Sequence, residues 1–311
     1  MMKSVLFMLA AIVFLSGCIS QAEPSQSPRS APLMTWSDLT ERELPQPTSS
    51  HAYGDHPSQF ADLWLPDGPG PHPVVLMIHG GCWQKSIADL NLMNYAAEDL
   101  RQRGIAVWNV EYRGVDEIGG GYPGTFLDVR NAAHRLIEIG PSLNLEVEQI
   151  VAFGHSAGGH LAAWVALQSN IAQGSSIGPV DALPVSTVLI SGGLADLEAS
   201  APVTLESCLA NIIGDLTGTP TADRPNVFSD TSVPALLPTA VTLISVNGDQ
   251  DRIAPPELGQ ELTEKVIESG GDGRFIVVPE TGHVELIAPG TTAFEIQADI
   301  LKSALSAVRR Q

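Results

Sequence analysis

Val151-Ala152-Phe153-Gly154-His155-Ser156-Ala157-Gly158-Gly159-His160 decides how the rest of this chain is read. A short apolar run ends at Gly154 and a single Ser stands among small residues. An Ala- and Leu-rich pattern at helical spacing then runs from Ala157 to Gln168. The succession is strand, sharp turn, helix. A Ser at such a turn must take strained backbone angles, and side chains two residues to either side would collide. Gly154 and Gly158 remove those side chains. The turn lifts the Ser156 oxygen clear of the sheet edge and sets it at the N-terminus of the next helix, the G-x-S-x-G nucleophile elbow. The five-residue pattern occurs by chance; the flanking strand and helix make it specific.

Outward from this turn, strands and helices alternate. Pro73 opens Val74-Val75-Leu76-Met77-Ile78, an uninterrupted apolar run of the kind seen in strands buried on both faces. Further strands are expected at 59–65, 105–110, 149–153, 185–190, 240–246 and 274–278. Helices are expected at 86–103, 125–139, 157–168, 255–269 and 292–308. Such alternation predicts an α/β fold, a mostly parallel central sheet with helices on both faces. Residues 196–236 break the alternation and carry Cys208 with several Pro and Gly. They are expected to form a short cap above the C-terminal edge of the sheet.

A Ser hydroxyl is a poor nucleophile at neutral pH. It needs a His to take its proton and a carboxylate to orient that His. In a parallel sheet both come from the C-terminal ends of later strands, in the order Ser, acid, His. After strand 240–246 stands Asn247-Gly248-Asp249-Gln250-Asp251-Arg252, with two candidate acids. Gly248 permits the turn and Asp249 suits its cap, which leaves Asp251 as the acid and Asp249 as the alternative. His283 follows the last strand in Pro279-Glu280-Thr281-Gly282-His283, and no other His lies beyond His160. Protonated His283 cannot act as base, so activity is expected to fall on the acid side. Negative charge developing on the substrate needs backbone N–H donors. Ala157, directly after Ser156, is one expected donor. Gly81 and Cys82, in His79-Gly80-Gly81-Cys82-Trp83 after strand 74–78, are the others. His79 reads as a structural hydrogen-bonding residue. Trp83 either lines the substrate pocket or packs the oxyanion loop. Tyr112 and Arg113 are expected to brace that loop, with a substrate carboxylate as a second assignment for Arg113.

Five segments carry a family resemblance: His79-Gly80-Gly81-Cys82-Trp83, Glu111-Tyr112-Arg113, Gly154-His155-Ser156-Ala157-Gly158-Gly159-His160, the Asp251 loop and Gly282-His283. Together they resemble the α/β-hydrolases of the kynurenine formamidase and carboxylesterase branch, over residues 60–290. The acid loop of many α/β-hydrolases, G-x-x-D-x-x-x-P, falls here with its Asp at Asp251. The resemblance implies the α/β-hydrolase fold and an acyl-enzyme mechanism with Ser156, Asp251 and His283, without metal or organic cofactor. The H-G-G-x-W form belongs to the formamidases and is shared with bacterial esterases similar to feruloyl and acetylxylan esterases. A small-molecule carboxylic ester, with a short-chain acyl or aryl group, is therefore the expected substrate. The alternatives are an arylformamidase acting on N-formylkynurenine-type amides, or a non-catalytic binding protein of the same fold.

Lys3 precedes an apolar run from Val5 to Leu15, too short to span a bilayer, which takes about 20 residues. A basic start, a short apolar run and small residues read as a secretory signal. The run ends in Leu15-Ser16-Gly17-Cys18, which resembles the lipobox of bacterial lipoproteins. Residues 1–17 are thus expected to be a signal peptide, Cys18 a lipidated anchor, 18–50 a flexible Ser-, Pro- and Gln-rich tether, and 51–311 the folded domain. The expected location is the bacterial cell envelope, exported and held by the lipid anchor alone, on the periplasmic face or at the outer membrane of a Gram-negative cell. Tryptophan catabolism is cytoplasmic, so export favours the ester over the formamide. The 311 residues, 44% hydrophobic, suffice for one sizeable core. A net charge of -19 repels nucleic acid, which is excluded as a partner. Three cysteines, with no C-x-x-C and no H-E-x-x-H, leave no Cys-rich metal site. With Cys18 set aside, Cys82 and Cys208 can pair in an oxidising compartment and pin the cap to the oxyanion loop. The alternative is two buried apolar thiols. The oligomeric state is left open by these features.

Overall fold

The structure, a computed structural model, describes residues 32–203, 208–209 and 211–308. The signal peptide and Cys18 lie outside the described residues. Eight strands form one sheet: β1 (Ser49–Ala52), β2 (Phe60–Trp64), β3 (His72–Ile78), β4 (Ala106–Val110), β5 (Leu145–His155), β6 (Val185–Ser191), β7 (Thr242–Gly248) and β8 (Gly273–Val278). Their spatial order is β1-β2-β4-β3-β5-β6-β7-β8. β3 to β8 run parallel, while β1 and β2 are antiparallel at one edge. The helices are α1 (Trp36–Thr40), α2 (Asn94–Gln102), α3 (Gly124–Ile139), α4 (Ala157–Ala166), α5 (Leu197–Val203), α6 (Ile213–Thr217), α7 (Pro256–Glu268) and α8 (Thr292–Val308).

Side chains alternate across a strand, so the apolar run of β3 feeds two cores. Val74, Leu76 and Ile78 join the core under α3, α4 and α7, with Phe126, Leu161 and Leu262. Val75 and Met77 join the core under α2 and α8, with Leu100, Phe294 and Leu301. Helices on both faces of a mostly parallel sheet give the α/β architecture expected from the alternation of elements, and the α/β-hydrolase fold that the motif resemblance implies.

The winding positions the site. β4 lies on one side of β3 and β5 on the other, so the chain changes direction across the sheet there. Ligands of open α/β sheets bind outside the strand carboxyl ends at such a switch point. Those ends are level. Ile78 pairs with Val110 and Gly154, Gly154 with Ile190, Ser191 with Val246, and Gly248 with Val278.

Three expectations need correction. The folded domain starts before residue 51, because α1 stands within the stretch read as tether and Leu39 is fully buried under α2 and α8. Its start is a capping box: the Asp38 carboxylate accepts from the Thr35 N–H (2.6 Å) and hydroxyl (2.7 Å). The helix expected from residue 86 begins at Asn94, after a 3₁₀ turn capped by Asp89. Segment 196–236 is not draped over the sheet's C-terminal edge alone. Leu209, Leu216 and Val233 are buried in the core of α3 and α4, and Trp164 Nε1 donates to the Asp230 carbonyl at 2.8 Å.

Candidate active site

Ser156 sits between β5 and α4 with φ 55° and ψ -122°, a conformation L-residues adopt only where the surroundings enforce it. Two close approaches do so here. A Cβ on Gly154 would fall 2.0 Å from the Gly158 carbonyl oxygen, and one on Gly158 would fall 2.1 Å from the Ile78 carbonyl oxygen. The backbone is thereby folded tightly against β3, and the Ser156 N–H is tied to the Ser191 carbonyl at 2.9 Å.

Of the two candidate acids, Asp251 meets His283. Its Oδ2 accepts from His283 Nδ1 at 2.6 Å, and its Oδ1 accepts from the Ile253 and Ala254 N–H groups, both at 2.9 Å. Asp249 is exposed and accepts from the Thr281 N–H at 3.2 Å. The carboxylate on Nδ1 fixes the imidazole tautomer and leaves Nε2 with a lone pair. His283 and Ser156 line one cleft, with no hydrogen bond between their side chains.

His155 is a participant that the sequence reading did not assign. Its Nε2 donates to the His283 carbonyl at 3.1 Å, and the two rings lie 4.4 Å apart. Complete burial, with the neighbouring His283 next in weight, holds its pKa well below the ordinary imidazole range. His155 is therefore a neutral prop under the His283 loop. Its only sequence signal is its place between Gly154 and Ser156.

The loop after β3 takes three successive left-handed conformations, at Gly81 (φ 112°), Cys82 (φ 53°) and Trp83 (φ 55°). Gly81 and Cys82 line the cleft beside Ser156, and Ala157 opens α4 directly after it. Trp83 does not line the cleft. It is fully buried and its Nε1 donates to His160 Nδ1 at 3.2 Å, so of its two readings the structure supports packing. Cys82 and Cys208 form a disulfide with Cα atoms 5.2 Å apart.

Glu111 anchors the loop from below. Its carboxylate accepts from His79 Nε2 (3.1 Å), Lys85 Nζ (2.6 Å) and the Leu90 N–H (3.1 Å). Burial alone would raise its pKa, but His79 and Lys85 outweigh it and hold the group at about 2. Tyr112 stacks on His79 at 4.4 Å and donates to its carbonyl at 3.1 Å. Arg113 is engaged elsewhere: its Nε and Nη2 both reach the Asp128 carboxylate at 2.7 Å. That pairing removes the substrate-carboxylate assignment for Arg113.

The cleft has a volume of about 640 Å³. Among the described residues none of its lining comes from segment 196–236. Its walls are instead Trp36, Thr40 and Leu44 from the stretch read as tether, and Ile87, Leu92 and Tyr95 from the turn before α2 and its start. Trp36 stands edge-on to the His283 ring at 6.0 Å.

The BD-FAE family matches residues 61–266. No curated protein matches the sequence. Among solved structures, Esterase B from Lactobacillus rhamnosis has a TM-score of 0.71 at 19% identity, covering 86% of this chain and 90% of that one. A truncated carbohydrate esterase from gut microbiota has a TM-score of 0.66 at 18% identity, covering 83% and 97%. A bacterial heroin esterase has a TM-score of 0.61 at 24% identity, covering 81% and 78%.

Proposed function

The chain belongs to the BD-FAE family, and from that premise we propose that it is a serine hydrolase of small-molecule carboxylic esters. The observation that carries the reading is the Asp251–His283 hydrogen bond of 2.6 Å in the wall of the cleft that holds the strained Ser156. Ser156 Oγ attacks the ester carbonyl while His283 Nε2 takes its proton, and Asp251 stabilises the imidazolium that results. The oxyanion is held by the Ala157 N–H at the start of α4 and by the Gly81 and Cys82 N–H groups. His283 then protonates the leaving alkoxide, and water repeats the sequence in reverse to release the acid. Ser156 and His283 line the same cleft without a hydrogen bond between their side chains, and such contacts commonly tighten only once substrate enters. The structural neighbours named above are esterases, which agrees with this chemistry.

The H-G-G-x-W loop keeps formamide cleavage as the second reading. Hydrolysis of a p-nitrophenyl acyl series and of N-formylkynurenine, side by side with Ser156→Ala, separates the two. Fast ester cleavage that vanishes in the variant supports the esterase. Preference for the formamide moves the assignment to the amidase. Activity that survives Ser156→Ala contradicts both.

Export and anchoring through Cys18 belong to the same proposal, resting on residues 3–18. The Cys82–Cys208 disulfide agrees with an oxidising compartment. Labelling cells with a radioactive fatty acid tests it: Cys18→Ser must abolish incorporation.

A further inference from the structure

The N-terminal segment does more than extend the domain. It forms one wall of the cleft, and it is fastened on two sides. Toward the His283 loop, the Met34 N–H donates to Glu285 Oε1, while Glu285 Oε2 accepts from the Gly282 N–H at 3.1 Å. One carboxylate thus joins the segment to the residue before His283. Arg42 Nη1 also reaches the Pro289 carbonyl at 3.3 Å. On the other side, the Tyr95 hydroxyl lies 3.3 Å from both the Thr40 and Arg42 carbonyls, and Asn94 Nδ2 donates to the Pro45 carbonyl at 3.3 Å. Trp36 is held between these fixings, edge-on to His283 at 6.0 Å and to His155 at 6.4 Å.

The chemistry of the wall is one-sided. Trp36, Leu44 and Ile87 are 39%, 39% and 55% exposed, three of the seven exposed large apolar side chains among the described residues, and all three line this cleft. No Lys or Arg is in the lining among the described residues. Its one acid, Asp89, is taken up by Lys85 at 3.7 Å and by capping the Asn91 N–H at 3.0 Å. Such a wall removes apolar surface from water and offers nothing to neutralise a carboxylate.

Resting on the ester-hydrolase reading, we propose that Trp36, with Leu44 and Ile87, is the specificity-determining wall for an uncharged apolar acyl or aryl portion of the substrate. Trp36 supplies a flat face against which an alkyl chain or ring packs near His283. An anionic substituent at the same place loses its hydration without gaining a partner.

The test is a pH-stat comparison of kcat/KM on ethyl acetate, ethyl hexanoate, phenyl acetate and monoethyl adipate. The enzymes are wild type, Trp36→Ala, Trp36→Phe, Ile87→Ala and Ser156→Ala. Wild type should favour ethyl hexanoate or phenyl acetate over ethyl acetate, and should cleave the anionic adipate at least about 30-fold less well than ethyl hexanoate. Trp36→Ala should lower the ratio of extended to short ester by about 10-fold, mainly through KM, with Ile87→Ala in the same direction and Trp36→Phe restoring most of the ratio. An equal proportional loss on every ester, or adipate cleaved as well as hexanoate, overturns this inference while leaving the esterase reading intact. Activity that persists in Ser156→Ala overturns the esterase reading itself.

Discussion

Removing the Cys82–Cys208 bond is the perturbation whose size follows most directly from the topology. The bond closes a loop across a sequence separation of 126. Loop-closure entropy for that length amounts to about 5 kcal/mol at 25 °C, a ceiling that measured disulfides commonly undershoot at about 2–4 kcal/mol. The double variant Cys82→Ser/Cys208→Ser avoids a lone thiol and keeps the residue 82 N–H. It should lose about 3–5 kcal/mol in urea unfolding, and its Tm should fall by about 10 °C, since each kcal/mol is worth roughly 2–4 °C in a large domain. The m-value should rise, because an uncrosslinked unfolded chain exposes more surface. Cys82 and Trp83 hold left-handed angles that the bond helps enforce, so kcat should fall up to about 10-fold. A stability change under about 1 kcal/mol, together with two free thiols from Cys82 and Cys208 in the unfolded chain without reductant, would refute the reasoning.

Acid should destabilise the protein in two stages. Burial lowers the His160 pKa from 6.5 to about 4, so the unfolded chain takes up that proton first. The His160 contribution is complete above pH 6.5 and is lost between 6.5 and 4, up to roughly 3 kcal/mol, and buried His155, also held well below the imidazole range, adds to the loss in the same direction. The Glu111 pKa, about 2 against 4.5, adds a second loss of similar order between pH 4.5 and 2, and urea midpoints across the range would show both stages. Gly192→Ala should cut kcat by about 10–100-fold, because a Cβ there would lie 3.1 Å from both Asp251 Oδ2 and His283 Nδ1, at a φ of +52°; unchanged kcat would show that the pair tolerates displacement. Glu285→Ala strips two backbone N–H groups of their acceptor and should cost about 2–4 kcal/mol in urea unfolding.

Much of the fold was legible because buried parallel strands read as apolar runs. β3, β6 and β7 fall close to where that pattern places them, and the Gly154–Gly158 spacing marks the turn at Ser156. β1 is silent in the sequence because a four-residue edge strand, alternately half-buried and exposed, carries little apolar signal. Residues 86–93 mimic a helix because Ile87, Leu92 and Met93 are apolar at near-helical spacing, but Ile87 and Leu92 face the cleft. The N-terminal segment was hidden by its composition, since Pro and Ser surround the few apolar anchors. Thr35-x-x-Asp38 was its one local signal of a helix start. Nothing in the sequence announces that Glu285 joins Met34 to Gly282, because that contact spans most of the chain and exists only after folding.

Covalent labelling of Ser156 tests the central claim most directly. The protein is titrated with an alkyl fluorophosphonate while ester hydrolysis and intact mass are followed together. One equivalent of adduct is expected, located on Ser156 by peptide mapping, with activity lost in proportion and labelling slowed strongly in His283→Ala. Adduct on another residue, or full hydrolysis in protein completely labelled at Ser156, would contradict it.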